Sequence, residues 1–373
     1  MNDLERYRIK IDSIDEQLMQ LFEERMHVAK AVVAYKIENN LAVYQPEREQ
    51  QVIEKNARRI VDPNIKPYAK ELLVTLMDVS KSYQSDYLRP IHEIDNVKAT
   101  PCNLKEIRVG YQGVEGSFSQ EAMIQYFSEE VTSFHYSSFE DVFERLIVNA
   151  IDYGVLPIEN SSTGAVNDVF DLINRYGVYI VGEVSLPVKQ HLLGIKGATI
   201  DQLEQVFSHP QGLYQSSEFL KKYPTIKQQS YDNTAMAAQY VKQLGDKRKA
   251  AIASLRAAKI YDLEVLKENI QNTETNHTRF IIISKQLENK QENHHLSILF
   301  TLQHRSGTLF NILKIIANYG LNMVSIQSRP VVKTAWEYYF YVDFTGNLED
   351  ENVLKAIDTI KQHCNSFRLL GVY

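Results

Sequence analysis

The sequence predicts a multidomain protein, with an all-α segment first, an α/β region next and an α+β module of ferredoxin-like order last. Three observations predict it. The chain has 373 residues, more than a single hydrophobic core accommodates. None of its 15 glycines precedes Gly110, and its first proline is Pro46. A leading stretch of that kind, rich in Leu, Ile, Glu, Lys and Arg, reads as long helices. From Gly110 onward, β-branched runs alternate with helical patterns and glycine-bearing turns.

Hydrophobic content of 44% and charged content of 24% are those of an ordinary globular protein. A net charge of −6 argues against nucleic acid or a membrane surface as a general partner. It leaves room for an anionic small substrate held by a few placed arginines. The two cysteines, Cys102 and Cys364, form neither a disulfide framework nor a zinc spacing, so both read as free thiols in a reducing compartment. The charged start Met1-Asn2-Asp3-Leu4-Glu5-Arg6 has no signal-peptide character, and no apolar run approaches the ~18 residues of a membrane span. The expected location is the cytoplasm, with no membrane partner.

Taken in order, residues 1 to about 40 place Leu4, Ile11, Ile14, Leu18, Leu21, Phe22, Val28, Ala29 and Val32 at helical spacings. One helix of that length spans ~60 Å and needs a partner helix or a second subunit to cover it. A second helix begins near Pro46 and ends before Asp62-Pro63; a third runs from Pro67 to about Tyr87. Arg89 to Cys102 reads as a linker. Strands fit 107–111, 153–156, 178–181, 191–195, 205–207, 250–253 and 279–283, with helices between most of them. Ser284 to Asn293 reads as a second, charged linker. The final stretch reads strand 296–302, helix 309–318, strand 322–328, strand 336–344, helix 352–363, strand 367–372, the split βαβ order.

Several charged positions in the helical segment do not read as plain surface. Arg25 and Lys36 are eleven residues apart, which puts them within ~20° of one helix face and ~16 Å apart along the axis. Two long side chains so placed can grip one small dianion. Arg8 lies ~25 Å from Arg25 and is rotated by ~100°, so it can share that ligand only from a second copy of the helix. Ser80 and Gln84 share one face of the third helix, and Glu49 is the candidate acid or acceptor on the second.

The set Arg8, Ile11-Asp12-x-x-Asp15, Glu24-Arg25, Lys36, Pro46-x-Arg48-Glu49 and Ser80-x-x-x-Gln84 resembles the all-helical chorismate mutase family, across residues 1–92. The resemblance implies an entwined dimer. Arg8 of the partner and Arg25 would bind the two chorismate carboxylates, and Lys36 and Gln84 would donate to the ether oxygen. Glu49 and Ser80 would complete the pocket. Gln45 stands where the family often has Asp and can still bond the substrate hydroxyl.

In the central region, Gly110 to Ser119 is a glycine-rich strand-to-helix turn whose spacing is not that of a nicotinamide site. It either offers N–H groups to an anion or is simply a tight turn. The run Leu156-Pro157-Ile158-Glu159-Asn160-Ser161-Ser162-Thr163-Gly164 puts consecutive polar side chains on a loop after a strand, where α/β folds place ligands. Ser208-His209-Pro210-Gln211, Asp232-Asn233-Thr234-Ala235 and Asn276-His277-Thr278-Arg279-Phe280 are further polar strand ends. His209 by itself reads more readily as structural. Together these resemble prephenate dehydratase over residues 105–285, which implies two lobes, periplasmic-binding-protein-like, with a cleft between them. Thr278 would be the residue essential for activity, and Asn160, Ser161, Thr163, His209 and Gln211 would contact prephenate. Arg279 is either a carboxylate anchor or a fold-stabilising ion pair, with the second favoured.

At 294–373, Arg305-Ser306-Gly307-Thr308-Leu309-Phe310 and Ile326-Gln327-Ser328-Arg329-Pro330 resemble the effector motifs of an ACT domain, in the forms Gly-Thr-Leu-Phe and Gln-Ser-Arg-Pro. The resemblance implies a phenylalanine effector on Gly307, Thr308, Leu309, Gln327, Ser328 and Arg329 at a dimer interface. The whole implies a bifunctional mutase–dehydratase that needs no metal or organic cofactor and forms a homodimer or higher oligomer. Two readings compete: a dehydratase with a non-catalytic helical sensor, and a two-lobed ligand-binding regulator without catalysis.

Overall fold

The computed structural model describes residues 2–39, 46–87, 106–288, 294–331 and 337–373. The chain divides into two compact units, one of the N-terminal helices with Leu354–His363, the other of the remaining elements.

The helical unit opens with α1 (Asp3–Glu38), followed by α2 (Pro46–Ala57) and α3 (Lys66–Tyr87). Asn2 starts α1 through a reciprocal cap: its Oδ1 accepts from the Glu5 N–H at 2.8 Å, and Glu5 Oε2 accepts from the Asn2 N–H at 2.9 Å. Acidic Asp3 and Glu5 in the first turn and Lys36 in the last suit the helix dipole. Pro46 opens α2, where its missing N–H costs nothing. α3 packs against both α1 and α2. Little of α1 is covered by this packing. Leu4, Tyr7, Ile11, Ile14, Leu18, Leu21, Val28, Val32 and Tyr35 are all exposed, 43–62% each. With Arg25 they recur at alternating intervals of three and four, the seam of a helix that meets another helix.

In the second unit, the first lobe runs β1 (Arg108–Gln112), α4 (Phe118–Phe127), β2 (Thr132–Tyr136), α5 (Phe139–Ile147), β3 (Tyr153–Asn160), β4 (Gly164–Ala165), α6 (Asn167–Tyr176) and β5 (Tyr179–Pro187). The chain then crosses to a second lobe: β6 (His191–Gly194), β7 (Gln205–Ser208), α7 (Pro210–Gln215), α8 (Ser217–Leu220), β8 (Lys227–Ser230), α9 (Thr234–Leu244), β9 (Lys249–Ala253), α10 (Leu255–Ile260) and β10 (Glu264–Lys267). It returns as β11 (His277–Ser284). The C-terminal module is β12 (His295–Thr301), α11 (Thr308–Asn318), β13 (Met323–Pro330), β14 (Tyr338–Thr345), α12 (Glu351–His363) and β15 (Ser366–Val372), of which the Leu354–His363 part of α12 groups with the first unit.

The second lobe is a five-stranded sheet ordered β10-β6-β9-β7-β8. β9 is buried from Ala250 to Ala253, and its small side chains let α9 and α10 close over it. The first lobe and the C-terminal module share one ten-stranded sheet, β13-β14-β12-β15-β5-β11-β3-β1-β2, with β4 paired to β3. The joint is the parallel contact of β15 with β5 at Gly371 and Ile180. A side chain there would put its Cβ 1.9 Å from the Ile180 carbonyl oxygen, so only glycine allows the approach. One core runs across the joint, from Phe143, Leu156 and Ile283 to Leu299, Tyr341 and Leu370.

The elements follow the sequence reading with several differences: β4 and β10 were not expected, β5 runs on to Pro187, and four more bear on the site. The first strand begins at Arg108, one residue later than expected. β2 and β8, with the sequences Thr-Ser-Phe-His-Tyr and Lys-Gln-Gln-Ser, are exposed edge strands held by their neighbours and show no apolar alternation to read. β3 is longer than expected and carries Glu159 and Asn160 inside a strand rather than on a loop. The expected linker at Ser284 starts within β11, and Leu287 and Glu288 beyond it are buried; Tyr153 donates to Glu288 at 2.6 Å. The linker at 89–102, including Cys102, lies outside the described residues. Among the described residues no helix is long and apolar enough to cross a membrane.

Candidate functional sites

The helical site begins from the interior of α1. Arg25 donates Nη1 to the Leu76 carbonyl at 3.1 Å and to Ser80 Oγ, a still shorter contact. Ser80 Oγ, buried, donates in turn to Leu76 at 2.7 Å. Two of the expected residues, 55 positions apart in sequence, thus meet across α1 and α3. Lys36 is half-buried further along α1, while Arg8 is exposed near its start. Glu49 and Gln84 lie on α2 and α3, with their side chains outside the described set; Gln45 lies outside the described residues.

The second site is organised around Asn160, buried at the end of β3. Its Nδ2 donates to Thr278 Oγ1 at 2.8 Å, to Asn276 Oδ1 at 2.9 Å and to the His277 carbonyl at 3.2 Å. Its Oδ1 accepts from the Ser162 N–H and hydroxyl at 3.0 and 2.6 Å, and from the Thr163 N–H at 3.2 Å. One amide therefore fixes the turn after β3 and the start of β11. Because Asn160 donates to Thr278 Oγ1, the threonine keeps its own O–H proton for another acceptor. Ser161 ties the same strands together: its hydroxyl accepts from the His277 N–H at 2.9 Å and donates to the Thr275 carbonyl at 3.2 Å.

The second lobe closes on this cluster through its β7–α7 junction. Gln211 Nε2 reaches Thr163 Oγ1 at 3.3 Å and Asn160 Oδ1 at 3.5 Å. Gln215 Nε2 donates to Ser162 Oγ at 3.3 Å, and Gln190, from the crossing between lobes, donates to Gln215 Oε1 at 3.2 Å. His209 caps α7, its Nδ1 accepting from the Gln211 N–H at 3.2 Å. That bond places the ring proton on Nε2. Burial pushes the imidazole below its ordinary pKa, and Asp232 opposes the shift in part. Gln190, Gln215 and Asn276 were missed by the sequence reading. Asn276 stood inside a flagged motif; the two glutamines sit in ordinary contexts with no local signal.

The glycine-rich turn is a tight turn. Three of its N–H groups are used within the protein: Gly113 to the Tyr136 carbonyl at 2.9 Å, Gly116 to Gln120 Oε1 at 2.7 Å and Ser117 to the Val114 carbonyl at 3.1 Å. Gly113 and Gly116 both have φ in the left-handed region, which explains the residue type there.

Comparison with known proteins decides what these sites belong to. The family model for chorismate mutase type II matches residues 7–85, that for prephenate dehydratase 109–288 and that for the ACT domain 296–362. The bifunctional chorismate mutase/prephenate dehydratase of Aquifex aeolicus is 33% identical over 377 residues, covering 100% of this chain and 98% of its own. This chain belongs to the bifunctional chorismate mutase/prephenate dehydratase family. Among solved structures, a prephenate dehydratase from Arthrobacter aurescens in complex with L-Phe is 25% identical, with a TM-score of 0.66, covering 72% of this chain and 89% of its own. GqqA, described as a novel type of quorum quenching acylase, is 28% identical with a TM-score of 0.66, covering 71% and 97%. As a family member the protein rearranges chorismate to prephenate and converts prephenate to phenylpyruvate, in phenylalanine biosynthesis.

Between the dehydratase and the ACT domain, Arg279 is an ion-pair residue. Successive strand residues face opposite ways, so Thr278 faces the polar cluster and Arg279 the other side of β11. Its Nη2 meets Asp343 on β14 at 2.9 Å and Glu159 at 3.4 Å, and its Nη1 meets Glu183 at 3.5 Å. Ser297 donates to Asp343 at 2.5 Å, and His295 lies 3.0 Å from Glu183. The two domains are thus locked through a part-buried charge network. In the effector motifs, Gly307 has φ +85° at the start of α11, and the Thr308 hydroxyl donates to the Arg305 carbonyl at 3.0 Å. Leu309 follows on the same helix. On β13, Gln327 donates weakly to the Ser328 carbonyl at 3.4 Å, and Arg329 reaches away to Asp171 on α6. Cys364 is a free thiol that burial pushes up to about 12, so it carries no reactive thiolate.

Proposed function

We propose that chorismate binds along α1, with Arg25 and Lys36 of one chain and Arg8 of a second copy, and that Ser80, Glu49, Gln45 and Gln84 complete the pocket. The observation that carries this reading is the Arg25–Ser80 contact beside the uncovered seam of α1. The rearrangement breaks an ether C–O bond and forms a C–C bond without a covalent intermediate. It asks only that the ligand be held in its reactive shape and that donors face the oxygen gaining charge. A homodimer follows, because the exposed seam and the distant Arg8 are both answered by a second copy of this helix. Mixing Arg8→Ala and Arg25→Ala chains tests it. Half of random pairs are mixed and each holds one intact site, so mutase activity returns to about a quarter of the parental rate. No recovery on mixing means that Arg8 does not act across chains.

For the dehydratase, prephenate sits at the turn of residues 160–163, with Thr278, Ser161, Thr163 and Gln211 as contacts. Loss of CO₂ sends its C–C bonding pair into the ring, and the ring hydroxyl leaves, gaining a proton to become water. Thr278, whose oxygen already accepts from Asn160, is the donor directed at that hydroxyl. His209 supports the site as the neutral cap of α7. The ACT domain binds phenylalanine at Gly307, Thr308, Leu309, Gln327, Ser328 and Arg329 at a dimer interface, and the bound L-Phe of the Arthrobacter relative supports this reading. The free thiol of Cys364 supports a cytoplasmic location. The proposed domain limits are 1–92, 105–285 and 294–373.

A further inference from the structure

The C-terminal module does more than lie beside the dehydratase: it grips one helix of it. Helix α6 receives three side chains from the module. Arg329 binds Asp171 with two parallel bonds, Nε to Oδ1 at 3.0 Å and Nη2 to Oδ2 at 2.5 Å. Tyr341 donates to the Phe170 carbonyl at 2.8 Å, and its ring meets the Phe170 ring edge-on at 4.8 Å. Arg368 donates to the Ile173 carbonyl at 3.3 Å and to the Val178 carbonyl beyond the helix end. On its other side, α6 is held by Arg175 and Tyr176, which both reach Glu140 on α5.

What α6 carries is the dehydratase turn. Only three residues separate Thr163 from Asn167, the first residue of α6, and two of them form β4, paired back to Glu159 and Asn160. The Val166 N–H also returns to the Ile158 carbonyl at 2.9 Å. No slack remains between α6 and the residues that Asn160 holds, so a shift of α6 reaches Ser162 and Thr163 directly. The N-terminus of α6 has no side-chain cap, and its place depends on the contacts along its body.

We propose that Arg329, Tyr341 and Arg368 are positioning residues for the dehydratase site, acting through α6, and that the Asp171–Arg329 pair is the contact by which effector occupancy reaches that site. The proposal rests on the phenylalanine reading above. An amino-acid effector bound beside Gln327 and Ser328 presents a carboxylate to the same guanidinium that Asp171 holds. Arg329 cannot keep both parallel bonds to Asp171 while it turns to a second carboxylate. Effector binding therefore loosens α6 and, with it, the turn.

Asp171→Asn in the full-length enzyme tests this, since it keeps the shape and removes the charge. Dehydratase kcat without phenylalanine falls about fivefold, toward the inhibited rate of the parent, as a coupling of ordinary size requires. Added phenylalanine then has little further effect, although calorimetry still detects its binding. The mutase rate of the same chain stays at the parental value and serves as the folding control. Tyr341→Phe, which removes only the bond to the Phe170 carbonyl, lowers dehydratase kcat and weakens inhibition in the same sense, and stands in if Asp171→Asn does not fold. An Asp171→Asn enzyme that binds phenylalanine and is inhibited as fully as the parent overturns the coupling alone. One that no longer binds phenylalanine makes Asp171 part of the effector site and overturns it too. A parent that binds no phenylalanine overturns the effector reading itself.

Discussion

The two catalytic regions solve the problem of placing polar groups in opposite ways. In the helical unit, cations are spaced along one 36-residue helix, and the geometry of that helix alone sets their separation. In the dehydratase, a single buried amide, Asn160, gathers groups from β3, β11 and the second lobe. The first arrangement suits a reaction that needs a dianion clamped and a developing charge met. The second suits one that needs a hydroxyl aimed at a leaving group. One depends on rigid spacing along a helix; the other depends on a dense hydrogen-bonded hub.

Truncating each organiser should separate the two regions most sharply. Arg25→Ala should cost the mutase about 100-fold in kcat/KM, because the dianion is no longer clamped in its reactive shape. Dehydratase turnover in the same protein should be unchanged. Asn160→Ala should do the reverse, lowering dehydratase kcat about 100-fold by releasing Thr278 and the turn. If either change harms both activities equally, the sites are not separable.

The next effect concerns stability. Arg279→Gln leaves Glu159, Glu183 and Asp343 facing one another without their cation. Breaking such a part-buried network should cost about 3–5 kcal/mol, read as a lower denaturant midpoint for the dehydratase and ACT strands. Retained stability would mean that the acids simply take up protons.

The smallest effect is a pH dependence confined to the dehydratase side. His209 and His191 are held below their ordinary pKa by burial, so the folded chain binds fewer protons than the unfolded chain in the window just below about pH 6.5. Stability is therefore full above that pH and declines as pH falls through the folded values. A thermal melt at pH 5.5 against 7.5 should show a smaller drop for His209→Gln than for the parent.

Much of this was legible in the chain. The absence of glycine before Gly110, the three-and-four spacing of Leu4 to Val32 and Pro46 at a helix start all report local backbone preference, and local preference is what a sequence displays. The pairing of Asn160 with Thr278 was readable only as two motifs of polar residues at strand ends. Nothing local told that one amide bonds both. The edge strands β2 and β8 gave no alternation, because an exposed strand is held by its neighbour's hydrogen bonds rather than by its own apolar face.

By itself the sequence determined three kinds of segment, the helical spacing of Arg25 and Lys36, and the glycines at turns with positive φ, because each of these is set within a few residues. Only the tertiary structure decided that Gly371 lets the C-terminal strand join the dehydratase sheet, that Gln190 and Gln215 extend the Asn160 cluster, and that Arg329 holds Asp171. Those contacts join residues far apart in the chain, where burial and hydrogen-bond completion, not periodicity, choose the partner.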